Sequence, residues 1–465
     1  MRAKNGDLAR LRAQIDGRLP AWMTPGRILL GLLLLSLAVN LAFGLLYKFR
    51  ANPGQLEWDE FEYYDIASRL LDGSFRLNAR RTLAFPLVIA GIRSLTGNFL
   101  ILQLVVTTIF STSAPLLFLV VRRVTGSIRA AAYSGLVLAL WPPIIFFGVS
   151  LYSEVLALPV FLLSLWALPP GSRTSRPPER RDMLTAALAG VLLAAATQVR
   201  PMYLIMTPFI VGVILFEEAD RRRAVRRIAI VAVAFTLITL PWSIYMTARF
   251  HHPILVTANG GETLAGGLTP KLFEVAAEER TSVRGRDAWV GPGKWLTVPQ
   301  TGYLSDAEQR LPYDRQDELL KMRALAWAKA NPRAALRLEA CKLLYMWGLY
   351  PATLNGVVQT LLGSLPTIAL LVFALFNLIT LPPSRTALVR LWVLPIFVST
   401  VAAISWGSWR FRQPGDAGLI AFCVVCLLVR RAMRRPAESP ASARPGVVAP
   451  SRYRRLARQI AGSAR

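Results

Sequence analysis

A long apolar run at residues 28–47 is the feature that most constrains the fold of this chain. Its sequence, ILLGLLLLSLAVNLAFGLLY, has the roughly 20 residues that an α-helix needs to cross the hydrocarbon core of a bilayer. Only helices and closed barrels satisfy their backbone hydrogen bonds in a membrane, and this run lacks the alternation of a barrel strand. Because it is too long for the apolar region of a signal peptide, we interpret it as an uncleaved signal anchor.

Similar apolar runs recur along the chain. Of its 465 residues, 54% are hydrophobic and only 17% are charged, which is typical of a polytopic membrane protein. The sequence therefore predicts an all-α polytopic membrane protein, with about ten transmembrane helices, interfacial helices and an external loop region. The predicted spans are residues 28–47, 99–121, 130–149, 155–168, 183–199, 202–216, 228–247, 357–381, 389–405 and 417–429.

The positive charges predict the orientation of these spans. The formal net charge is +27, and Lys and Arg cluster in the N-terminal tail and after the even-numbered spans. Because basic loops stay in the cytoplasm, we expect both termini there. The predicted parts are a cytoplasmic tail (1–27), an N-terminal membrane half (28–247) with its first external loop (48–98), a large external loop (248–356), C-terminal membrane helices (357–431) and a disordered basic cytoplasmic tail (432–465).

Residues 183–216 are long enough for one tilted helix or two short ones. A single span would place Arg200 near the bilayer centre, where an arginine costs about 2.5–3.5 kcal/mol. It would also place the arginines of EEADRRRAVRR outside. We therefore predict two short helices that meet at Arg200 and Pro201 on the outer surface.

The first external loop contains the densest acidic cluster, QLEWDEFEYYDIASRLLDG, at residues 55–73. Phe61, Tyr64, Ala67 and Leu71 recur in it at helical spacing, and a glycine follows. This pattern predicts an amphipathic helix on the membrane surface, with those four residues as its apolar face.

Asp59 and Glu60 stand at the start of this helix. Alone, they fit simple caps, because the helix dipole favours carboxylates there. Further charged residues reach the same outer surface from distant parts of the sequence: Glu154, Arg200, Arg410 and Arg412. A carboxylate can act as a base, and guanidinium groups match phosphate oxygens. The set therefore indicates a site for a lipid-linked phosphate at the outer leaflet.

Five segments of the chain form an ordered set. They are WDEFEYYDIASRLLDG with RRTLAFPLVIAGI, then YSEVLALPVFLLSLWAL, AATQVRPMYLIMTPFIV, LPWSIYMTARFHHPILVTANGGETLAGG and SWRFRQPGDAGLIAF. In this order they resemble the dolichyl-phosphate-mannose protein mannosyltransferases, glycosyltransferase family 39, and their bacterial relatives, which include the aminoarabinose transferases of lipid A. The resemblance covers most of the chain up to about residue 431.

This resemblance implies a GT-C-type fold, a helical membrane bundle with reactive external loops. It implies an enzyme of the bacterial inner membrane that transfers a sugar, with inversion, from a polyprenyl phosphate to an acceptor on the periplasmic side. Asp59 is carried over as the general base, Glu60 as its supporting neighbour and Glu154 as the second acidic position. The implied donor-binding residues are Tyr63, Arg80, Arg81, Arg200, Arg410 and Arg412.

Several alternatives stay open. The chain is short for this family, which argues against a eukaryotic-type protein O-mannosyltransferase and leaves lipid, glycan and protein acceptors open, as well as the sugar. A ligase or polymerase of polyprenyl-diphosphate-linked glycans also carries external arginines. A lipid or sugar transporter is a third reading, although transporters place ionisable groups near the midplane. Tyr63 and Tyr64 fit either a phosphate site or the interfacial aromatic belt.

The large external loop has three further features. His251 and His252 are adjacent, so their side chains diverge, and no carboxylate at helical spacing completes a metal site. The stretch ANGGETLAGG lacks the spacing of a P-loop and predicts a flexible loop near the sugar pocket. Near the end of the loop, two amphipathic helices are predicted, separated by Asn331 and Pro332.

The sequence indicates few other partners. Cys423 and Cys426 lie inside an apolar run and fit small residues of a helix rather than a redox or metal site. No cofactor is expected, and a divalent metal is not indicated, although some relatives bind one near the acids. No nucleotide fingerprint appears and nothing predicts nucleic-acid binding. The expected partners are the lipid bilayer, the polyprenyl-phosphate sugar donor and an unknown acceptor.

Overall fold

The computed structural model describes residues 15–17, 20, 23–56, 58–77, 79–171, 180–274, 295–349, 364–381, 388–405 and 407–434. Most of the predicted N-terminal tail, the predicted C-terminal tail from residue 435 and the first part of the eighth predicted span, 357–363, lie outside these residues. Within the described ranges the secondary structure is helical and includes no β-strand. The predicted all-α fold class is therefore confirmed.

Each predicted span of the N-terminal half contains a helix. The helices of this half are α1 (Pro25–Phe43), α2 (Trp58–Leu71), α3 (Ala84–Leu95), α4 (Phe99–Ser111), α5 (Ser113–Thr125), α6 (Ile128–Ala139), α7 (Pro142–Gly148), α8 (Glu154–Ala167), α9 (Arg180–Val199), α10 (Met206–Glu217) and α11 (Arg221–Phe250). A π-helical turn, Gly44–Lys48, extends α1, and a 3-10 helix, Pro201–Ile205, leads into α10.

The remaining helices belong to the predicted large external loop and to the last three predicted spans. They are α12 (Gly260–Gly267), α13 (Tyr313–Ala330), α14 (Pro332–Met346), α15 (Leu365–Thr380), α16 (Val389–Ile404) and α17 (Gln413–Arg434). A 3-10 helix, Trp409–Arg412, stands directly before α17. The two predicted amphipathic helices are confirmed as α13 and α14, and they are separated by Asn331, because Pro332 cannot continue the hydrogen bonding of α13.

Within the ranges that the structure describes, four segments are long and apolar enough to cross a membrane. Judged by length and composition, they are Pro25–Lys48, Phe99–Thr125, Arg180–Val199 and Arg221–Phe250. Helices α6 and α7 pass the same test together, but they are bent by 60°. Pro142 and Pro143 open α7 and have no N–H to continue α6, so the third predicted span is a broken helix. The predicted break at Arg200 and Pro201 is confirmed.

The acidic helix α2 buries part of the predicted apolar face and part of its polar side. Of the predicted face, Ala67 is buried and Tyr64 packs against the core, whereas Phe61 and Leu71 are exposed. Glu60 is buried as well, and its carboxylate accepts a hydrogen bond of 2.9 Å from the backbone N–H of Leu151. Because this buried acid has its partner in the bundle, α2 can bury a charged residue beside its apolar ones.

Small residues allow the central helices to approach closely. Helix α9 packs between α8 and α11, and Gly190 lies where α9 crosses α11. A Cβ atom at Gly190 would stand 2.4 Å from the carbonyl oxygen of Val231, a distance that real Cβ atoms do not reach. Close approach at small residues is a main source of packing energy between helices in membranes.

The glycine-rich stretch of the large external loop forms helix α12 rather than the predicted flexible loop. Its glycines provide room for close contacts: a Cβ at Gly261 would stand 1.8 Å from the backbone oxygen of Asp317, and one at Gly266 would stand 2.0 Å from the Trp295 indole nitrogen. Packing against α13 therefore outweighs the low helix propensity of glycine, and the stretch is helical.

We expect Gly190→Ala to destabilise the protein and Gly212→Ala to leave it as stable or more stable. The added methyl would overlap Val231 in the first variant, at a cost of about 1–3 kcal/mol. It meets no atom within 4 Å in the second, where alanine favours the helix by about 0.5–1 kcal/mol. Thermal unfolding in detergent measures both; equal melting temperatures would contradict the close α9–α11 crossing.

Candidate active site

Asp59 lies at the centre of a network of charged side chains. It stands in the first turn of α2. Its Oδ2 accepts a hydrogen bond of 2.6 Å from Nη1 of Arg410, and its Oδ1 accepts one from Nη2 of Arg81. Arg81 precedes α3 and Arg410 lies between α16 and α17, so the fold brings together residues that are far apart in the sequence.

Glu154 is a second carboxylate that holds Arg410. It begins α8 and is only 3% exposed. Its carboxylate accepts from Nε and Nη2 of Arg410, the latter at 3.1 Å, and it also pairs with Nη1 of Arg200. The hydroxyl oxygen of Ser153 accepts from Arg200 at 3.3 Å and from the Tyr63 hydroxyl at 3.2 Å. Two arginines therefore share one buried counter-ion.

A second set of charged side chains extends from Arg81 to Glu262 of α12. Glu62 Oε2 accepts from Nε of Arg81 at 2.9 Å, and Glu62 Oε1 lies 3.5 Å from Nη1 of Arg80. The other end of the Arg80 guanidinium donates to Oε1 of Glu262 at 3.0 Å. The Tyr313 hydroxyl donates to the second oxygen of Glu262. This set connects the first external loop to α12 and α13.

The network keeps Asp59 and Arg410 charged. Burial alone would raise the pKa of Asp59, but the guanidinium groups of Arg410 and Arg81 outweigh it and hold that pKa far below its ordinary value. Burial alone would lower the pKa of Arg410, but Glu154 and Asp59 outweigh it and raise that pKa above its ordinary value. Asp59 is therefore an anion throughout the physiological pH range.

A cavity of about 800 Å³ opens beside Asp59. Its charged residues are Asp59, Glu62, Asp65, Arg80, Arg81, Arg200, Glu262 and Arg410. An apolar wall lies where the 3-10 helix before α10 meets the end of α16, and it consists of Met202, Ile205, Val401 and Ile404. The cavity thus joins a charged end to an apolar side that is formed by this 3-10 helix and α16.

Six of the nine predicted site residues line this cavity. They are Asp59, Tyr63, Arg80, Arg81, Arg200 and Arg410. Glu154 and Glu60 do not line it: Glu154 lies behind the arginines, and Glu60 faces Leu151. Arg412 also lies apart from it. Its fully buried side chain donates to the carbonyl oxygen of Met346 and pairs with Asp416 inside the protein, because the turn that carries Arg410 outward directs Arg412 inward.

The sequence did not identify three members of the network, Glu62, Glu262 and Tyr313. Glu62 follows Asp59 by three residues on a helix, so the two side chains share a face, and this spacing could have identified it. The glycine-rich stretch that contains Glu262 was predicted to lie near the pocket, but neither Glu262 nor Tyr313 was identified as a site residue, because only the tertiary fold brings these side chains beside Arg80.

The acids of the network bind arginines rather than each other. Within the described residues, no group of three or more His, Cys, Asp or Glu side chains stands close enough to hold a metal ion. His252 instead contacts Asp314, with 3.0 Å between Nε2 and Oδ2. Cys423 and Cys426 are buried in α17.

Comparison with solved structures identifies the fold. The apo form of the Archaeoglobus fulgidus oligosaccharyltransferase matches with a TM-score of 0.50 and 12% identity, over 94% of this chain and 54% of that one. Archaeoglobus fulgidus AglB in complex with an inhibitory peptide and a dolichol-phosphate matches with a TM-score of 0.47 and 15% identity, over 94% and 54%. ArnT from Cupriavidus metallidurans, in the apo state, matches with a TM-score of 0.40 and 16% identity, over 87% and 77%.

At these identities, the likeness to the apo oligosaccharyltransferase shows the fold alone. The chain is a polytopic helical membrane protein with the GT-C type of fold, as predicted. It spans about half the length of the oligosaccharyltransferase structures that it matches. No protein-family model matches the chain, and no curated protein matches it in sequence.

We expect Glu154→Gln to lower stability more than Asp59→Asn. Glu154 is almost fully buried between two arginines, and removing one partner of a buried ion pair costs about 3–5 kcal/mol. The Asp59 side chain is 25% exposed, so solvent screens the loss of its charge. Melting temperatures of the two variants in the same detergent measure the difference. A larger loss in Asp59→Asn would contradict Glu154 as the buried counter-ion.

Proposed function

We propose that this protein is a membrane glycosyltransferase that moves a sugar, a hexose or a pentose, from a polyprenyl-phosphate donor to an extracytoplasmic acceptor. One observation carries the proposal: a carboxylate, Asp59, is held between two arginines at the charged end of a cavity whose other side is apolar. A ligand with a phosphate at one end and an isoprenoid chain at the other matches both parts of this cavity.

The donor phosphate binds at Arg200 and Arg410 in this proposal. Both line the cavity, and guanidinium groups bind phosphate oxygens in a bidentate manner. The isoprenoid chain leaves along Met202, Ile205 and Ile404, the apolar wall at the membrane side. Because this wall lies between two helices of the bundle, the donor enters from the bilayer rather than from water.

Asp59 acts as the general base. The acceptor hydroxyl attacks the anomeric carbon, its proton passes to the Asp59 carboxylate, and the bond to the phosphate oxygen breaks with inversion. Arginine stabilises the charge that grows on the leaving phosphate. Asp59 is a weak base while Arg410 and Arg81 bind it, because both guanidinium groups lower its pKa. When the donor phosphate binds Arg410, the ion pair between Arg410 and Asp59 weakens, and the carboxylate becomes more basic.

The other residues support this centre. Glu60 fixes the first turn of α2 through the backbone of Leu151, and Glu154 holds Arg410 in place. Tyr63 orients Ser153 beside Arg200. The GT-C type of fold, shared with an oligosaccharyltransferase, supports a saccharide transferase.

The proposed location is the bacterial inner membrane, with cytoplasmic termini and the site at the periplasmic face. The clustering of Lys and Arg in alternate loops supports this orientation. Lipid, glycan and protein acceptors all fit the proposal, because the site defines the donor more narrowly than the acceptor.

We expect Asp59→Asn to reduce sugar transfer at least about 100-fold, because general base catalysis contributes about 10²–10⁴-fold. Purified protein in lipid would be supplied with radiolabelled undecaprenyl-phosphate sugars, and release of the sugar to added acceptors or to water would be followed. Asp72→Asn is the control, since Asp72 is an exposed acid at the end of the same helix and lies outside the cavity.

Three results would contradict the proposal. Full activity in Asp59→Asn would show that Asp59 is not the general base. Activity confined to undecaprenyl-diphosphate-linked glycans would favour a ligase or polymerase. Movement of a lipid-linked sugar across liposomes without glycosidic bond formation would favour a transporter.

A further inference from the structure

Arg410 stands on a short external segment, residues 407–412, between α16 and α17; we call it the Arg410 segment. Residues 409–412 form a 3-10 helix, in which residues three apart share one face. Trp409 and Arg412 therefore point to one side, and Arg410 points to another. Arg410 contacts Asp59 and Glu154. The contacts that Trp409 and Arg412 make on the opposite face therefore fix the position of Arg410 in the cavity.

Helix α14 of the large external loop holds that opposite face. The last carbonyl groups of any helix lack partners within the helix. In α14, the carbonyl oxygen of Tyr345 accepts a hydrogen bond of 2.9 Å from Nε1 of Trp409. The carbonyl oxygen of Met346 accepts one of 3.0 Å from Nη1 of Arg412. The two side chains that flank Arg410 thus cap the C-terminal end of α14.

Lys342 of α14 in turn caps the C-terminal end of α16. Its side chain is fully buried, and its ammonium group donates to the carbonyl oxygens of Ala403 at 3.2 Å and Ser405 at 3.1 Å. Glu339 lies 2.7 Å from the same nitrogen and balances its charge. A cation at the C-terminal end of a helix satisfies free carbonyls and matches the negative end of the helix dipole.

The backbone of the Arg410 segment lies directly on α14. A Cβ atom at Gly407 would stand 2.1 Å from the carbonyl oxygen of Lys342. No side chain larger than hydrogen fits there without moving one of the two backbones. The contact leaves no room for a side chain between the segment and α14, and the hydrogen bonds of Trp409 and Arg412 hold the two together.

We propose that Lys342 is a positioning residue for the donor-binding Arg410, acting through this reciprocal capping of α14 and α16. Lys342 fixes the end of α16, Trp409 and Arg412 fix the segment on α14, and Arg410 is thereby directed at Asp59 and Glu154. The inference rests on the proposed function, because it assigns Arg410 to the donor phosphate. It also gives the large external loop a role in building the site.

The test compares Lys342→Met with Lys329→Met. Both remove an ammonium group, but Lys329 is exposed in the last turn of α13. Full-length protein in nanodiscs would be measured by hydrogen–deuterium exchange and by binding of undecaprenyl phosphate. We expect Lys342→Met to exchange faster over residues 407–412, with α2 unchanged, and to bind undecaprenyl phosphate about tenfold more weakly. Lys342→Arg should restore most of both, and Lys329→Met should resemble the wild type.

Three results would overturn the inference. The first is unchanged exchange over residues 407–412 in Lys342→Met, and the second is faster exchange everywhere, which a general loss of stability produces. The third is faster exchange over residues 407–412 with unchanged binding of undecaprenyl phosphate. Should Lys342→Met fail to fold, Gly407→Ala disturbs the same contact and must give the same local effect.

The two proposals fail in different ways. If the wild-type protein does not bind undecaprenyl phosphate, the proposed donor fails and Lys342 loses its role toward a donor. The exchange measurement then still decides whether Lys342 holds the Arg410 segment on α14.

Discussion

The Arg410 guanidinium is the group on which the site depends, because it binds Asp59 of α2 and Glu154 of α8 at once. Burying a charge without a partner costs several kcal/mol, so each of these ions requires the others. This requirement joins the acidic helix, the start of α8 and the Arg410 segment into one unit. Arg200 and Arg81 extend it on both sides.

This unit explains why the densest acidic cluster of a basic protein lies just outside its first membrane helix. The four arginines Arg80, Arg81, Arg200 and Arg410 contact four carboxylates, so the charges of these side chains balance. In the proposed mechanism, the donor phosphate adds negative charge and competes with Asp59 for Arg410. Binding of the donor and release of the base are thereby coupled in the proposed mechanism, and the partners are already in place in the folded protein.

Much of the fold could be predicted because hydropathy and charge are local properties of the sequence. The runs of apolar residues predicted where the apolar helices lie, and the cost of a buried arginine predicted the break at Arg200. The burial of Glu60 could not be found in this way, because its hydrogen-bond partner, the backbone of Leu151, lies in a distant part of the chain. Helix α12 was missed for the same reason: its glycines pack against Asp317 and Trp295, and local propensity opposes a helix there. Arg412 resembled Arg410 in sequence, but a 3-10 turn directs the two side chains to different places.

The most direct test of the account is the binding of undecaprenyl phosphate to Asp59→Asn and Arg410→Gln in nanodiscs. If the lipid phosphate competes with Asp59 for Arg410, Asp59→Asn binds undecaprenyl phosphate more tightly than the wild type and Arg410→Gln binds it more weakly. Weaker binding by Asp59→Asn, or unchanged binding by Arg410→Gln, would contradict the account, because Arg410 would then not be the group that the carboxylate and the phosphate share.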